Sequence, residues 1–344
     1  MSLTPTAIHT RTLSEPYIER ALNAYHAPKW LPGGHAQTIY PLMIKPRAHP
    51  YRRERWETPD EDFIDLDWNE TAYSTLKNRN TPLVVLFHGL EGSSNSHYAL
   101  ALMHTLTAIS WGGVVIHFRG CSGEPNRLPR AYHSGDSEEI DWILQRLKQH
   151  HPERPIFAVG VSLGGNALLK WLGERESSAA NCLCAAAAIS APLDLTVCGH
   201  NLGRGVNRIY GNHFLQTLKP NAAAKLKRFP GLFDERRLRE ARTVYEFDDA
   251  VTGPLHGYAG ADDYWQRASS KPWLAAIRLP TLVLNAQNDP FLPHHALPRP
   301  DQVSAEVRLE LPREGGHVGF TTGSLPGKLY WLPQRVLRFF TDHG

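Results

Sequence analysis

Short apolar runs of strand length recur along the chain, and between most of them apolar residues space out to a helical period. Pro82 to Phe87 (PLVVLF) and Gly113 to Phe118 (GVVIHF) are nearly continuous, as expected of strands covered on both faces. Ile156 to Val159, Leu183 to Ser190 and Leu279 to Asn285 read the same way, and Val303 to Leu311 alternates. Arg52 to Thr58 and Phe63 to Trp68 also alternate. In the second, Ile64, Leu66 and Trp68 share one face while Asp65 and Asp67 share the other, which suits antiparallel strands at a sheet edge. Helical spacing relates Leu102, Leu106 and Ile109, then Ile140, Ile143, Leu144 and Leu147, then Val336 and Phe340 in a closing helix opened by Pro333. Strands alternating with helices at this interval predict an α/β fold: a mostly parallel central sheet with helices on both faces.

The rhythm breaks twice. Residues 1–50 are rich in Pro and His and read as an arm on a larger body. Within it Trp30 to Ile39 (WLPGGHAQTI) reads as a packing turn rather than a substrate contact. From 195 to 272 the alternation gives way to helical pieces and aromatics, the pattern of a helical cap inserted between two strands. The expected organisation is therefore an arm over 1–50, a core over 51–194 and 273–344, and a cap over 195–272. Lys225, Lys227, Arg228, Arg236, Arg237, Arg239 and Arg242 crowd one part of the cap. Interleaved with acids, they read as a solvated helix face, the alternative being a patch for anionic lipid.

Composition narrows the class. A net charge of +3 from 37 basic and 34 acidic residues gives no nucleic-acid signature. Cys121, Cys182, Cys184 and Cys198 lack paired zinc spacing and are expected reduced, the middle two within an apolar strand. The start, MSLTPTAIHTRTLSEPY, carries no signal-peptide apolar core, and no run approaches the length of a membrane span; the cytoplasm is the expected location, with peripheral membrane contact left open. His294 and His295 are adjacent and suit no single ion, no H-E-x-x-H occurs, and no glycine-rich phosphate loop follows a strand. Neither metal nor cofactor is expected.

The chemistry concentrates at Gly160-Val161-Ser162-Leu163-Gly164, which follows an apolar strand and opens an apolar helix. This is the strand, G-x-S-x-G, helix context of a nucleophile elbow. A serine hydroxyl needs a base within reach, and the base needs an acid to fix its tautomer. Asp289 and His317 each lie in a loop directly after a predicted strand, in the chain order Ser, Asp, His. Asp194, after the preceding strand, is the rival acid, although it also suits the cap of the first inserted helix. An oxyanion needs two N–H donors; Leu163, just after the nucleophile, and Leu90, in the loop His88 to Ser94, are placed to supply them. His88 reads as a brace for that loop. Tyr245, Phe247, Tyr264 and Trp265 line an acyl pocket or form cap core.

Beyond these residues, WLPGGHAQTIYP, HGLEGSSNSHY at 88–98, FRGCSGEPNRLPRAYHSGDSEEI at 118–140, GVSLGGNALLKWLGE at 160–174, VYEFDDAVTGPLHGY, NAQNDPF at 285–291 and GGHVGF at 315–320 resemble the YheT-like branch of the α/β-hydrolases over nearly the whole chain. The resemblance implies an α/β-hydrolase fold, a relay of Ser162, Asp289 and His317, and esterase activity on short to medium acyl esters. Family members more often carry Asp where Asn288 stands, which leaves Asp289 as the one carboxylate of that loop. Relatives in this branch include lipid-acting lipases and acyltransferases. The expected activity is thus a serine carboxylester hydrolase taking a small-molecule ester or lipid. Acyl transfer to an alcohol, a lipid-acting (phospho)lipase, and a non-catalytic binding protein on the same fold are the alternatives.

Overall fold

The computed structural model describes residues 25–69 and 81–344. Eight strands form one sheet: β1 (Tyr51–Glu57), β2 (Phe63–Asn69), β3 (Leu83–Phe87), β4 (Gly112–His117), β5 (Ile156–Val161), β6 (Ala185–Ile189), β7 (Thr281–Leu284) and β8 (Val307–Glu310), in the spatial order 1-2-4-3-5-6-7-8. β1 pairs antiparallel with β2 and β2 antiparallel with β4; the remaining neighbours are parallel. The strand period of two sends Leu83, Val85 and Phe87 into one core and Val84 and Leu86 into the other. The helices named below are α1 (Gly34–Ile39), α2 (His97–Ala108), α3 (Ser137–His150), α4 (Leu163–Arg175), α5 (Leu195–Leu202), α6 (Arg208–Arg228), α7 (Glu235–Glu240), α8 (Val244–Phe247), α9 (Ala261–Ala268) and α10 (Trp331–Thr341). α3 and α4 cover the first face through Ile140, Leu144, Leu168 and Trp171. α2 and α10 cover the second through Leu102, Leu106, Val336 and Phe340.

Some expectations shift. Asp65 and Asp67 do not face solvent. They are buried, because Arg55 and Arg53 on β1 reach across the register to bind their carboxylates with paired hydrogen bonds of 2.8 to 2.9 Å. Asp67 is also bound by Ser94 and His117, so the alternation of β2 records an ion-pair layer. The edge strand is β1. Cys182 and Cys184 precede β6 instead of lying within it, and all four cysteines are free thiols. The last strand is confined to Val307–Glu310. The closing helix begins at Trp331, two residues before Pro333, which still sits in the first turn where no N–H is needed.

Between β6 and β7 the chain is helical, running through α5 to α9 with a π-helical turn at Asp248–Thr252. Leu215, Phe233, Leu238, Phe247 and Val251 give this part a core of its own. The crowded cations are not a uniform solvated face. Lys225 Nζ donates to Asn126 Oδ1 and to the carbonyls of Leu128 and Arg130, and Arg228 donates to the carbonyls of Asn126 and Arg127. These bonds fasten α6 to the loop between β4 and α3. Arg236 and Arg237 instead pair with Glu240 and Asp249.

Candidate active site

The turn from β5 into α4 places Ser162 at φ 51° and ψ −119°, a conformation that strains any residue with a Cβ. Two glycines make it feasible. A Cβ on Gly160 would meet the Gly164 carbonyl at 2.5 Å, and one on Gly164 would meet the Phe87 carbonyl at 2.4 Å. Strand and helix therefore approach through bare backbone, and the Ser162 N–H is held by the Ile189 carbonyl at 2.9 Å.

His317 Nε2 lies 3.0 Å from Ser162 Oγ, and His317 Nδ1 lies 2.8 Å from Asp289 Oδ2. A carboxylate only accepts, so Nδ1 carries the proton and Nε2 is left to accept from the serine hydroxyl. The other oxygen of Asp289 accepts from the Phe291 N–H at 2.8 Å, and the carboxylate is 1% exposed. Phe291 also stacks on the imidazole, ring centres 4.0 Å apart. The rival Asp194 is engaged elsewhere: its Oδ1 accepts from the Val197 N–H at 3.1 Å and caps α5.

The loop after β3 lies against the elbow, with a Cβ on Gly89 reaching within 3.2 Å of Ser162 Cβ. Tyr98 and Tyr132 hydroxyls accept from the N–H groups of Gly89 and Glu91, at 2.9 and 2.8 Å. Leu90 N–H, between them, has no acceptor among the described residues. Leu163 is the first residue of α4, where helix geometry leaves the N–H without an intrahelical acceptor. Both residues border the cavity at Ser162. His88 is fully buried; Nδ1 donates to the Gly89 carbonyl at 2.7 Å and Nε2 accepts from the Phe118 N–H at 3.2 Å. Burial pushes its pKa down to about 3, so it stays neutral.

The segment expected to be a packing turn is α1, and it packs on the loops carrying His317 and Asp289. Thr38 Oγ1 accepts from the His317 N–H at 2.9 Å. Gln37 Oε1 accepts from the Gly315 N–H at 2.8 Å and from Asn288 Nδ2 at 2.9 Å, while Asn288 Oδ1 accepts from the Gly316 N–H at 3.0 Å. Behind the histidine, Val318 N–H donates to Ser190 Oγ at 3.1 Å and the Val318 carbonyl accepts from His97 Nε2 at 3.0 Å. Contact is close enough that a Cβ on Gly34 would sit 1.9 Å from the Asn288 carbonyl oxygen. Gln37, Thr38 and Ser190, and the bracing role of Asn288, escape a reading of the sequence, the one hint being the glycine pair at 33–34.

From Ser162 a cavity of about 240 Å³ runs beneath the inserted helices. Its wall is mostly apolar, with Leu195, Leu202, Phe214, Leu218 and Val251 among the lining residues; Glu91, Asn126 and Lys225 make a polar margin. Phe247, Tyr264 and Trp265 line it, whereas Tyr245 lies outside, stacked on His200 and bonded to Asp262. Asp248 is the one buried carboxylate on this wall. Burial raises its pKa to about 6, against hydrogen bonds from Thr252 and Trp265 Nε1. Among the described residues no group of three or more His, Cys, Asp or Glu side chains could hold a metal ion, and no helix is long and apolar enough to cross a membrane.

A family model described as alpha/beta hydrolase fold matches residues 82–324. The Escherichia coli protein YheT, which carries the name of an esterase, is 41% identical over 313 residues, spanning 90% of each chain. Human phospholipase ABHD3 is 31% identical over 331 residues, 93% of this chain and 80% of the relative. Among solved structures, a Pyrococcus furiosus esterase, Pf2001, superposes with a TM-score of 0.54 at 15% identity over 87% of this chain and 98% of that one, a likeness of fold alone.

Proposed function

The chain belongs to the alpha/beta hydrolase fold family, and from that premise we propose that it hydrolyses carboxylic esters through an acyl-enzyme on Ser162. The observation that carries this reading is the continuous hydrogen-bonded line Ser162 Oγ, His317 Nε2, His317 Nδ1, Asp289 Oδ2, at 3.0 and 2.8 Å.

Ser162 Oγ attacks the ester carbonyl carbon as its proton passes to His317 Nε2. Charge develops on the carbonyl oxygen, held by the N–H groups of Leu90 and Leu163. Asp289 stabilises the imidazolium and keeps the ring in place without taking the proton. Collapse of the tetrahedral species breaks the bond to the alcohol oxygen, which leaves with the proton from His317. Water then adds to the acyl-enzyme, its proton going to the same nitrogen, and the free acid departs with Ser162 restored. Each half-reaction uses one base and one oxyanion site, so no further group is required.

The cavity bounds the acyl group. About 240 Å³ lies below the ~300–1,000 Å³ common for drug-sized ligand sites, and its apolar wall favours an alkyl chain of short to medium length. The relative named as a phospholipase supports a lipid ester as the natural class. The test is turnover of p-nitrophenyl esters with acyl chains of increasing length, with Ser162→Ala in parallel. Wild-type turnover is expected to peak at short to medium chains and to vanish in Ser162→Ala. Turnover that survives the substitution overturns the reading. With an added alcohol, free acid is the expected main product; ester formed beyond the alcohol's share in solution would instead mark acyl transfer.

A further inference from the structure

Three stretches hold no Asp or Glu at all, residues 25–53, 195–233 and 315–341, in a chain that carries 34 acids. The fold brings them together. Trp30 Nε1 donates to the Gly323 carbonyl at 3.0 Å, Tyr40 Oη donates to the Pro326 carbonyl at 3.0 Å, and His35 Nδ1 lies 2.9 Å from Tyr210 Oη, its ring stacked on the tyrosine. On this joined surface large apolar side chains stand out into water: Met43 at 75% exposure, Leu325 at 70%, Val206 and Ile209 at 62%, Leu42 at 58% and Ile39 at 45%. They account for nearly all the exposed large apolar side chains among the described residues. Lys29, Arg204, Arg208 and Lys328 are exposed among them and form no ion pair with any described residue.

We propose that this face docks on an anionic lipid surface, the apolar side chains entering the headgroup boundary and the four cations meeting lipid phosphates. The combination is what an interfacial surface needs: apolar protrusions for insertion, cations for attraction, and three contributing stretches without an acid, the nearest exposed one being Glu314 beside Gln37 at 3.4 Å. A protein partner would call for complementary shape and mixed charge, whereas this surface carries four unpaired cations and is built of separate protrusions on three segments. It also lies at the door of the site. Tyr210 packs on Phe291, and Phe291 stacks on His317, with ring centres 4.9 and 4.0 Å apart. One turn along α6 from Tyr210, Phe214 lines the cavity. A lipid rising from the docked membrane would meet α6, which lines the cavity from Phe214 onward. The nature of this cargo rests on the ester-hydrolase reading; the docking does not.

The experiment is vesicle co-sedimentation of the full chain carrying Ser162→Ala, with phosphatidylcholine vesicles and with phosphatidylcholine vesicles containing phosphatidylglycerol. Binding is expected only to the anionic vesicles and to weaken as salt is raised. On that background, Leu42→Glu with Met43→Glu, and separately Arg204→Glu with Arg208→Glu, are expected to weaken binding at least tenfold. The same pairs in the wild-type chain should leave the melting temperature and turnover of a soluble short ester unchanged. Arg236→Glu with Arg239→Glu, on α7 and outside the three acid-free stretches, should leave vesicle binding intact. No binding to anionic vesicles, binding that both face variants retain, or self-association abolished by Leu42→Glu with Met43→Glu would overturn the proposal. Loss of the catalytic reading would show separately, as soluble-ester turnover that does not depend on Ser162.

Discussion

Ser162 sits in a backbone conformation that costs about 1–3 kcal/mol in a residue with a Cβ, and its neighbours at Gly160, Gly164 and Gly89 leave no room to relax it. The strain aims the hydroxyl at His317. Removing the hydroxyl by Ser162→Ala, or fixing the wrong imidazole tautomer by Asp289→Asn, should each lower ester turnover by about 10⁴-fold or more, measured as kcat. Ser162, Asp289 and His317, the residues of the proposed triad, could be singled out in the sequence because each stands in a loop after a strand and the elbow has a sequence signature. Their supports could not. Thr38 lies 279 residues before His317, and Gln37 lies 251 before Asn288. Both act on main-chain N–H groups or a neutral amide, which leave no mark in a sequence. Thr38→Val removes one acceptor from the His317 N–H, worth about 1 kcal/mol. It should lower kcat about fivefold with KM little changed, and Thr38→Ser should restore it. A KM effect alone would show that Thr38 touches substrate instead of positioning the base.

At the scale of elements, α1 is a wedge whose fit depends on one missing methyl. Gly34→Ala would drive a Cβ into the Asn288 carbonyl, and that backbone oxygen belongs to the loop of Asp289. Overpacking of this kind costs about 1–3 kcal/mol, so the variant should melt several degrees lower and lose turnover, both read on one preparation. The strands of the sheet were legible because continuous apolar runs mark the central ones and alternation the outer ones, although β6 and β8 are shorter than their runs. β2 was legible as a strand but not in its surroundings, since Asp65 and Asp67 look solvated until Arg55 and Arg53 are seen opposite them. The helices between β6 and β7 were legible as helical pieces that break the rhythm, but how they are attached was not. Their attachment runs through Lys225 and three oxygens of the 126–130 loop, a pairing of cation with carbonyl that composition cannot show. Lys225→Met strands those oxygens and should lower the melting temperature while broadening acyl-chain preference in the ester series.

Across the whole molecule, buried titrating groups set the acid limit of stability. Burial lowers the pKa of His88 to about 3 and of His97, His133, His49 and His151 to about 4. In the unfolded chain each titrates near 6.5. Between those values the unfolded chain binds more protons, so the stability these histidines contribute is complete above about pH 6.5 and is lost as pH falls toward 4. Asp248, raised to about 6, and Glu139, raised to about 7, act in the opposite sense over part of this range, but the histidines outnumber them. The melting temperature should therefore fall between pH 7.5 and pH 5; a rise would place the balance with the two carboxyls. The same architecture gathers strand ends, wedge and helical cover around a single hydroxyl, that of Ser162. The most direct measurement is peptide mapping after reaction with a fluorophosphonate, with residual ester turnover followed on the same sample. One adduct, on Ser162, with turnover lost in proportion to labelling, is the predicted result. Full modification of Ser162 with turnover retained would contradict the mechanism.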